Sequence, residues 1–318
     1  MKIDTTGTPS RIDEAARAAW LYYVAGNRQD EIARKLGISR QSVQRLISLA
    51  DSEGLVRVRI DHPIGRCMSL ARQMRERFGL ERCEVAPTDP DAPDLLTGVA
   101  ALAAAEVERV LAEAEPKIIA LGTGRALKAC VEQTSRMDAP HHSIVSLLGN
   151  MNADGSATPY NAAVRLADRT GAKHYPFPLP VLAANPEELA LQMQIHAVRN
   201  TLELCARADL TLVGIGQMDA SAPIFVDGFV SRAEMDELQD KGATGEIISW
   251  AYDAGGRPID STITARVASA PLTDLAERHV IAVAVGLGKV PAIRAALDGR
   301  LITGLITSEQ TAEALLST

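Results

Sequence analysis

The sequence predicts an α/β protein in which a small winged helix-turn-helix domain precedes a large Rossmann-like α/β domain. Two helical patterns meet at a glycine within residues 29–48, and from about residue 94 short apolar strands alternate with helices. Such alternation favours a parallel sheet covered by helices on both faces. A chain of 318 residues is also long enough for about two domains. We place the first domain at residues 1–63, a linker helix at 64–80 and the second domain at 81–318.

The helix-turn-helix prediction depends on the spacing of three residues. Ala33 is small where two helices would cross, Gly37 lies where the turn needs a permissive φ, and Val43 lies on the buried face of the second helix. Ser39 is a good N-cap for that helix. Arginine and glutamine cluster in its first turn, which is typical of a helix that reads bases in the major groove. The alternative is an ordinary αα-hairpin with a polar outer face.

The segment Leu55–Ile60 alternates apolar and basic residues, which is a strand pattern. This strand would form a wing whose arginines lie near DNA phosphates. The alternative is a plain edge strand whose solvated arginines prevent aggregation. With the wing included, the predicted DNA-binding residues are Arg28, Ser39, Arg40, Gln41, Ser42, Gln44, Arg45, Arg57 and Arg59.

The charge is divided unevenly along the chain, although its total is −7. Residues 1–66 carry a net charge of +3 and residues 67–318 carry −10. Because counterion release needs only local positive charge, the acidic total does not argue against DNA binding. There is no apolar run of about 18 residues and no signal-peptide pattern. The four cysteines lack C-x-x-C spacing, so we expect a cytoplasmic protein with reduced thiols and no membrane partner.

The large domain is predicted to contain short buried strands separated by helices. We predict a loop at Gly149-Asn150 and a single helix over Glu187–Ala206, and we note a Pro-rich stretch at Tyr175–Pro180. The predicted strands include Lys117–Leu121, Ser143–Leu148, Leu210–Ile215, His279–Val285 and Leu301–Ile306.

Glycine-rich loops follow four of these strands, and two of the loops lead directly into helices. Ligands in open α/β sheets bind beyond the carboxyl ends of the strands, where helix amides and added cations can hold an anion. The alternative is that the glycines only permit strand-to-helix turns, and that the nearby carboxylates are ordinary solvated turn residues. The predicted ligand-binding residues are Gly122, Thr123, Gly124, Arg125, Gly149, Asn150, Gly216, Gln217, Asp227, Glu246 and Lys289.

Nothing in the sequence marks a catalytic, nucleotide or metal site. Neither G-x-G-x-x-G nor a Walker A motif occurs, and the six histidines lack metal-ligand spacing. We therefore predict no catalytic residues, no metal and no cofactor.

The whole chain resembles the SorC family of bacterial sugar-responsive transcription regulators. The segment Gln29–Arg40 carries the resemblance in the first domain. In the second domain it is carried by Leu121–Arg125, Ala208–Gly216, Gly245-Glu-Ile, Ala284–Lys289 and Ala292–Ala312. The resemblance implies an effector domain like the sugar-phosphate isomerases and deaminases, without catalysis. It also implies oligomers, commonly tetramers, that change operator binding when a sugar or phosphosugar binds.

Three positions in the expected effector pocket differ from the family's usual pattern. Thr123 stands where the family usually has a bulky residue, and Ala126 stands where threonine is common. Asn150 likewise stands where a second glycine is common. The effector is therefore predicted only as a sugar, polyol or phosphosugar.

The resulting hypothesis is a DNA-binding transcriptional regulator, a repressor in our prediction, of a carbohydrate catabolic operon. Its expected partners are operator DNA and a small effector, and its expected form is a homodimer or homotetramer. The alternative is an isomerase- or deaminase-like enzyme with an appended DNA-binding domain, and a third possibility is an architectural DNA-binding protein with an inert scaffold. An enzyme would need a positioned general base.

Overall fold

The computed structural model describes residues 10–56, 64–92, 96–152, 156, 160–272 and 278–317, without the side chain of Asn150. The chain divides into two compact units, Met1–His62 and Pro63–Thr318. The larger unit is a mixed α/β domain built on a parallel sheet, and the smaller one is helical over its described residues. The predicted fold class, a helix-turn-helix unit followed by a large α/β unit, is confirmed.

The smaller unit contains three helices, named α1 to α3. They span Arg11–Ala19, Gln29–Leu36 and Arg40–Ser52, and α1 continues as a π-helical turn over Trp20–Val24. Ala18, Ile32, Val43 and Ile47 form the centre of the core between these helices. Leu55 and Val56 lie in neither helix nor strand, and the rest of the predicted wing falls on residues outside those described.

The larger unit contains a seven-stranded parallel sheet. Its order is β1-β10-β9-β5-β2-β3-β4, and a smaller antiparallel sheet has the order β6-β7-β8. The strands span Arg82–Ala86 (β1), Ile118–Leu121 (β2), Ser143–Met151 (β3), Lys173–Pro180 (β4), Leu210–Gly214 (β5), Gly216–Gln217 (β6), Gly245–Ile247 (β7), Trp250–Tyr252 (β8), Val280–Val283 (β9) and Gly304–Ser308 (β10).

Helices cover both faces of this sheet, and two large hydrophobic clusters lie between them and the strands. Ten helices belong to the described part of this unit. They span Gly65–Phe78 (α4), Thr97–Leu111 (α5), Arg125–Gln133 (α6), Ala162–Thr170 (α7), Pro186–Gln192 (α8), His196–Ala206 (α9), Pro223–Val226 (α10), Arg232–Asp240 (α11), Val290–Asp298 (α12) and Glu309–Ser317 (α13).

Helix α4 is not a separate linker, although the sequence predicted one at residues 64–80. Cys67, Leu70, Ala71 and Met74 of α4 are buried in the same cluster as β1 residue Cys83. Helix α4 packs against β1 and α13. Its apolar face therefore belongs to the core of the larger unit.

The path of the chain through the sheet creates a reversal at its centre. From β2 the chain adds β3 and β4 on one side, and it then returns to the other side of β2 as β5, β9 and β10. Strands β2 and β5 are neighbours at this reversal, so the loops that follow them lead away in opposite directions along the sheet. Such a switch point leaves a crevice beyond the carboxyl ends of the strands, where ligands bind in open α/β sheets.

Two local predictions are wrong. Strand β3 continues through Gly149 and Asn150 to Met151, so the predicted loop there is part of a strand. The Gly149 amide is satisfied by the carbonyl of Ala268 at 2.9 Å, and irregular pairing with β4 continues to Met151. The predicted helix over residues 187–206 is two helices, α8 and α9.

The Pro-rich stretch, where the sequence predicted no strand, lies in β4, an edge strand. Pro176 and Pro178 are exposed, whereas Phe177 and Leu179 between them are buried. An edge strand tolerates proline because one row of its backbone groups has no strand to pair with. The missing amides also make this edge a poor template for another chain.

Candidate functional site

A cavity of about 460 Å³ lies at the switch point of the large sheet. It is lined by the loops after β2, β5 and β9, by the β7–β8 hairpin and by the segment around α10. This volume is in the usual range for pockets that hold small molecules. The fold therefore provides a ligand-sized crevice where the topology predicts one.

Most of the predicted ligand-binding residues line this cavity. Gly122 and Gly149 are not part of its described lining, and the side chain of Asn150 lies outside what the structure describes. The lining residues that the sequence predicted are Thr123, Gly124, Arg125, Gly216, Gln217, Asp227, Glu246 and Lys289.

Gly122 and Gly149 have structural explanations instead. A Cβ at Gly149 would lie 2.5 Å from the carbonyl oxygen of Leu179, so the close approach of β3 and β4 excludes any side chain there. A Cβ at Gly122 would lie 3.2 Å from Cγ2 of Ile248, a cavity residue. Gly122 thus allows the hairpin to approach the end of β2.

Lys289 and Glu246 are oppositely charged residues in the lining of the cavity. Lys289 Nζ donates a hydrogen bond of 2.7 Å to the carbonyl oxygen of Ile215. Glu246 Oε2 accepts a 3.0 Å hydrogen bond from the backbone amide of Ser249. Burial raises the pKa of Glu246, while the Ser249 amide and the Lys289 charge oppose that rise. The ammonium and the carboxylate therefore partly neutralise each other.

Gly216 is required by the position of Glu246. A Cβ at Gly216 would lie 2.9 Å from Cγ of Glu246. The strand pair Gly216–Glu246 brings the two residues into register in the small sheet. Glycine at this position therefore allows the carboxylate to lie directly over β6.

The tip of the β7–β8 hairpin has a strained backbone. Ile248 and Ser249 have φ values of 46° and 70°, and neither is glycine. Positive φ is costly for a β-branched residue such as isoleucine, and strain of this kind is found at ligand-binding sites. Both residues line the cavity. No sequence pattern marks this hairpin, because its turn lacks the usual asparagine or glycine.

Tyr160 connects the sheet side of the cavity to the α10 side. Its hydroxyl donates to Asp227 Oδ1 at 3.2 Å, and its backbone carbonyl accepts from Thr123 Oγ1 at 3.0 Å. Burial and the Asp227 carboxylate raise the pKa of Tyr160. No local sequence pattern marks Tyr160, because it comes near Thr123 only through the tertiary fold.

Gln217 presents a buried acceptor. Its Nε2 donates to Ser221 Oγ at 3.0 Å. Its Oε1 is buried and has no hydrogen-bond partner among the described residues. A buried acceptor without a partner costs free energy, and a ligand hydroxyl in the cavity would satisfy it.

Arg125 lies at the rim, as the first residue of α6. It is exposed, and Gly124 before it has a φ of 112° that a side chain would disfavour. Lys289 similarly follows Gly286, whose φ is 117°. Arg125 is thus the first residue of α6, and Lys289 is the N-cap of α12.

The described residues show no site for a resident metal and no helix long and apolar enough to cross a membrane. Their four cysteines are free and buried. Burial raises the pKa of Cys83, Cys130 and Cys205 to about 12. These thiols are therefore not activated nucleophiles.

Helices α2 and α3 form the second candidate site. Gly37 ends α2 in the left-handed region, with a φ of 68°. Ser39 is the N-cap of α3, because its hydroxyl accepts from the Ser42 amide at 3.1 Å. This cap stabilises the first helical turn of α3, directly after the connection from α2.

The first two turns of α3 present an exposed polar face. Val43 and Ile47 face the core, while Arg40 pairs with Asp30 at 3.6 Å on the outside. Ser42 is half-buried, and Arg28 is exposed as the N-cap of α2. Arg57 and Arg59 lie outside the described residues. The exposed residues of this face are Ser39, Arg40, Gln41, Gln44 and Arg45.

Comparisons with known proteins agree with this architecture. A family model described as "Putative sugar-binding domain" matches residues 62–317, and a model for a homeodomain-like domain matches residues 9–59. The erythritol catabolism regulatory protein EryD of Brucella abortus (strain 2308) is 34% identical over 302 residues, which cover 95% of this chain and 96% of that protein. The chain belongs to the SorC family of transcriptional regulators.

A solved SorC structure extends the match to the fold of the whole chain. The crystal structure of the full-length sorbitol operon regulator SorC from Klebsiella pneumoniae has a TM-score of 0.72 and 27% identity, and it covers 98% of this chain and 100% of its own. The transcriptional regulator LsrR of Klebsiella pneumoniae is 31% identical over 95% of this chain and 92% of its own. This SorC-family chain is therefore a transcriptional regulator, as predicted, and not an enzyme.

Proposed function

We propose that this regulator controls a carbohydrate catabolic operon by binding operator DNA through α3 and a small uncharged polyol or sugar in the cavity. In this proposal it acts as a cytoplasmic repressor, and binding of the effector changes its affinity for operator DNA. Two relatives are named for polyols, the erythritol regulator EryD and the sorbitol operon regulator, which is 29% identical. These names support a polyhydroxy effector.

The balance of charge in the cavity carries the proposal of an uncharged effector. Arg125 and Lys289 are matched by Asp227 and Glu246 among the lining residues. The Lys289 ammonium already donates to Ile215 and lies near Glu246. A phosphate would need net positive charge, whereas hydroxyl groups need both donors and acceptors.

The acceptors suited to hydroxyl groups are present in the cavity. Gln217 Oε1 has no partner among the described residues, and two carboxylates offer further acceptor oxygens. Lys289 contributes further N–H donors to the same lining, and the Tyr160 hydroxyl, which donates to Asp227, contributes an acceptor oxygen. A polyol with adjacent hydroxyls could satisfy several of these groups at once.

A thermal-shift series tests the proposed effector class. The full-length protein is heated with erythritol, sorbitol and other small polyols and sugars, and with the phosphate ester of each. A ligand at 100 times its Kd stabilises the native state by about 2.7 kcal/mol. Because polyols also stabilise proteins as osmolytes, each is used at millimolar concentration beside glycerol and an unrelated protein. Selective stabilisation by the phosphate esters alone would contradict the proposal of an uncharged effector.

We also propose that the regulator acts as a homodimer or homotetramer. A single α3 contacts one half-site, which limits affinity and specificity. Linking two such units raises the effective concentration of the second at its half-site. Light scattering of the full-length protein with and without DNA tests this, and a monomer under both conditions would contradict it.

A further inference from the structure

Helix α1 has an apolar outer face that the described residues of its own unit, 10–56, do not cover. Ile12, Ala16 and Trp20 lie four residues apart, so they form one stripe along the helix; we name it the α1 stripe. Ile12 is 38% exposed, and Trp20 is 57% exposed. The core face of α1 is a different one, because Ala15, Ala18 and Ala19 are buried against the unit's interior.

Trp20 is unusually exposed for a residue with a large aromatic side chain. Only two tryptophans occur in the chain, and a large exposed aromatic side chain is typical of an interface. The π-helical turn that begins at Trp20 extends the apolar surface, since Val24 is 68% exposed. A contiguous exposed apolar surface marks a site of protein contact.

We propose that the α1 stripe is the contact between the DNA-binding units of two copies of this chain, packed antiparallel about a two-fold axis near Ala16. This inference rests on the proposed function, in which the DNA-binding units act in pairs. Antiparallel packing places Ile12 of one copy beside Trp20 of the other. Ala16 then lies opposite Ala16 of the other copy, and its small side chain lets the helices approach closely.

The charges beside the stripe favour a second copy as the occupant. Asp13 and Arg17 are exposed on the same edge of the stripe, one helical turn apart. In a two-fold antiparallel pair this edge lies next to the same edge of the other helix. Each Asp13 therefore meets Arg17 of the other copy, and two symmetric ion pairs flank the apolar contact. The surface is complementary to itself, as a two-fold interface requires.

The size of the stripe also defines its role. A stable interface buries about 800 Å² on each partner. The stripe has only three side chains, two on the nine-residue helix α1 and one at the start of the π-helical turn, and it offers much less. The α1 contact would therefore orient two units that other contacts already hold together. It would set the spacing of the two α3 helices on DNA rather than the oligomeric state.

Disulfide trapping in the full-length protein tests the contact. Helices that cross 8–10 Å apart, with Cα atoms about 2.3 Å from each axis, bring facing Cα atoms to roughly 3.5–5.5 Å. This range overlaps the Cα separations of disulfides. The four native cysteines are buried, so Ala16→Cys introduces an exposed thiol at the proposed axis. Glu14→Cys is the matched control, because it is exposed on another face of the same helix.

We expect Ala16→Cys to give about tenfold more disulfide-linked dimer than Glu14→Cys on mild oxidation, because only the former holds two thiols within bonding reach. Adding Trp20→Ser to Ala16→Cys should abolish this excess while circular dichroism stays unchanged. Equal yields at the two positions, or no cross-link from the Ala16→Cys protein, would overturn the proposal. Because the readout needs neither operator nor effector, its failure leaves the proposed function untouched, and failure of DNA or effector binding leaves the cross-link interpretable.

Discussion

At the scale of single residues, Glu246 is a carboxylate on which burial and a nearby cation act in opposite directions. Burial is the larger influence and raises its pKa above the ordinary value of 4.5. The folded protein therefore binds this proton more tightly than the unfolded chain does. The stabilising contribution of the group is present at low pH and is lost as the pH rises through the folded-state pKa.

Replacing Glu246 with glutamine should remove this loss. We expect Glu246→Gln to raise the Tm of the ligand-free protein at neutral pH, and the gain should shrink as the pH falls towards 4.5. The amide oxygen can still accept the Ser249 hydrogen bond. Calorimetry across this pH range measures the effect, with exposed Glu115→Gln as the control. A gain that is independent of pH would contradict the role assigned to burial.

Gln44 is the residue on which base recognition by α3 can be tested. Its side chain is exposed one turn beyond the Ser39 cap, and it does not contribute to the core. If it contacts a base edge, Gln44→Ala should cost about 1–3 kcal/mol on operator DNA and little on random DNA.

Arg45→Ala is the comparison for Gln44, since a phosphate contact should weaken binding to both DNAs and reduce the salt dependence. Fluorescence anisotropy at several salt concentrations separates the two behaviours. Equal losses on both DNAs for Gln44→Ala would remove it from the base-reading set.

At the scale of elements, the sequence predicts what depends on local periodicity. Apolar runs mark β2, β5 and β9, and the glycines that follow them mark loops that line the cavity. The proline pattern of β4 does not predict a strand, because the tolerance of β4 for proline depends on a sheet edge that only the fold defines. Tyr160 and Ser249 were missed for a related reason, since each reaches the cavity through long-range packing.

An experiment can distinguish two roles for Gly149, a loop residue that binds the effector and a strand residue that packs against β4. In β3 an added Cβ would meet backbone oxygens of β4, and backbone cannot move aside easily. Gly149→Ala should therefore destabilise the fold by about 1–3 kcal/mol. Gly65→Ala is the control, because nothing lies within 4 Å of its added Cβ. Denaturant unfolding of both variants measures the difference, and a stable Gly149→Ala protein with weakened effector binding would restore Gly149 to the site.

At the scale of the whole molecule, regulation requires that effector binding in the larger unit and operator binding by the smaller unit depend on the same conformational equilibrium. The effector can shift the operator-bound population only by the difference between its affinities for the two states. Contacts made solely in the liganded state supply that difference. Gln217 Oε1 is such a group in our proposal, because it has no hydrogen-bond partner among the described residues.

Gln217→Ala should therefore weaken the response to the effector and leave the operator affinity of the ligand-free protein unchanged. Loss of one hydrogen bond of about 1–1.5 kcal/mol raises the effector concentration needed for half-maximal release by roughly 5- to 12-fold. Arg125→Ala at the rim is the matched control, and it should matter little for an uncharged polyol but much for a phosphate ester. Operator release is followed by anisotropy with increasing polyol or its phosphate. An unchanged response in Gln217→Ala and in Lys289→Ala would show that the effector binds elsewhere.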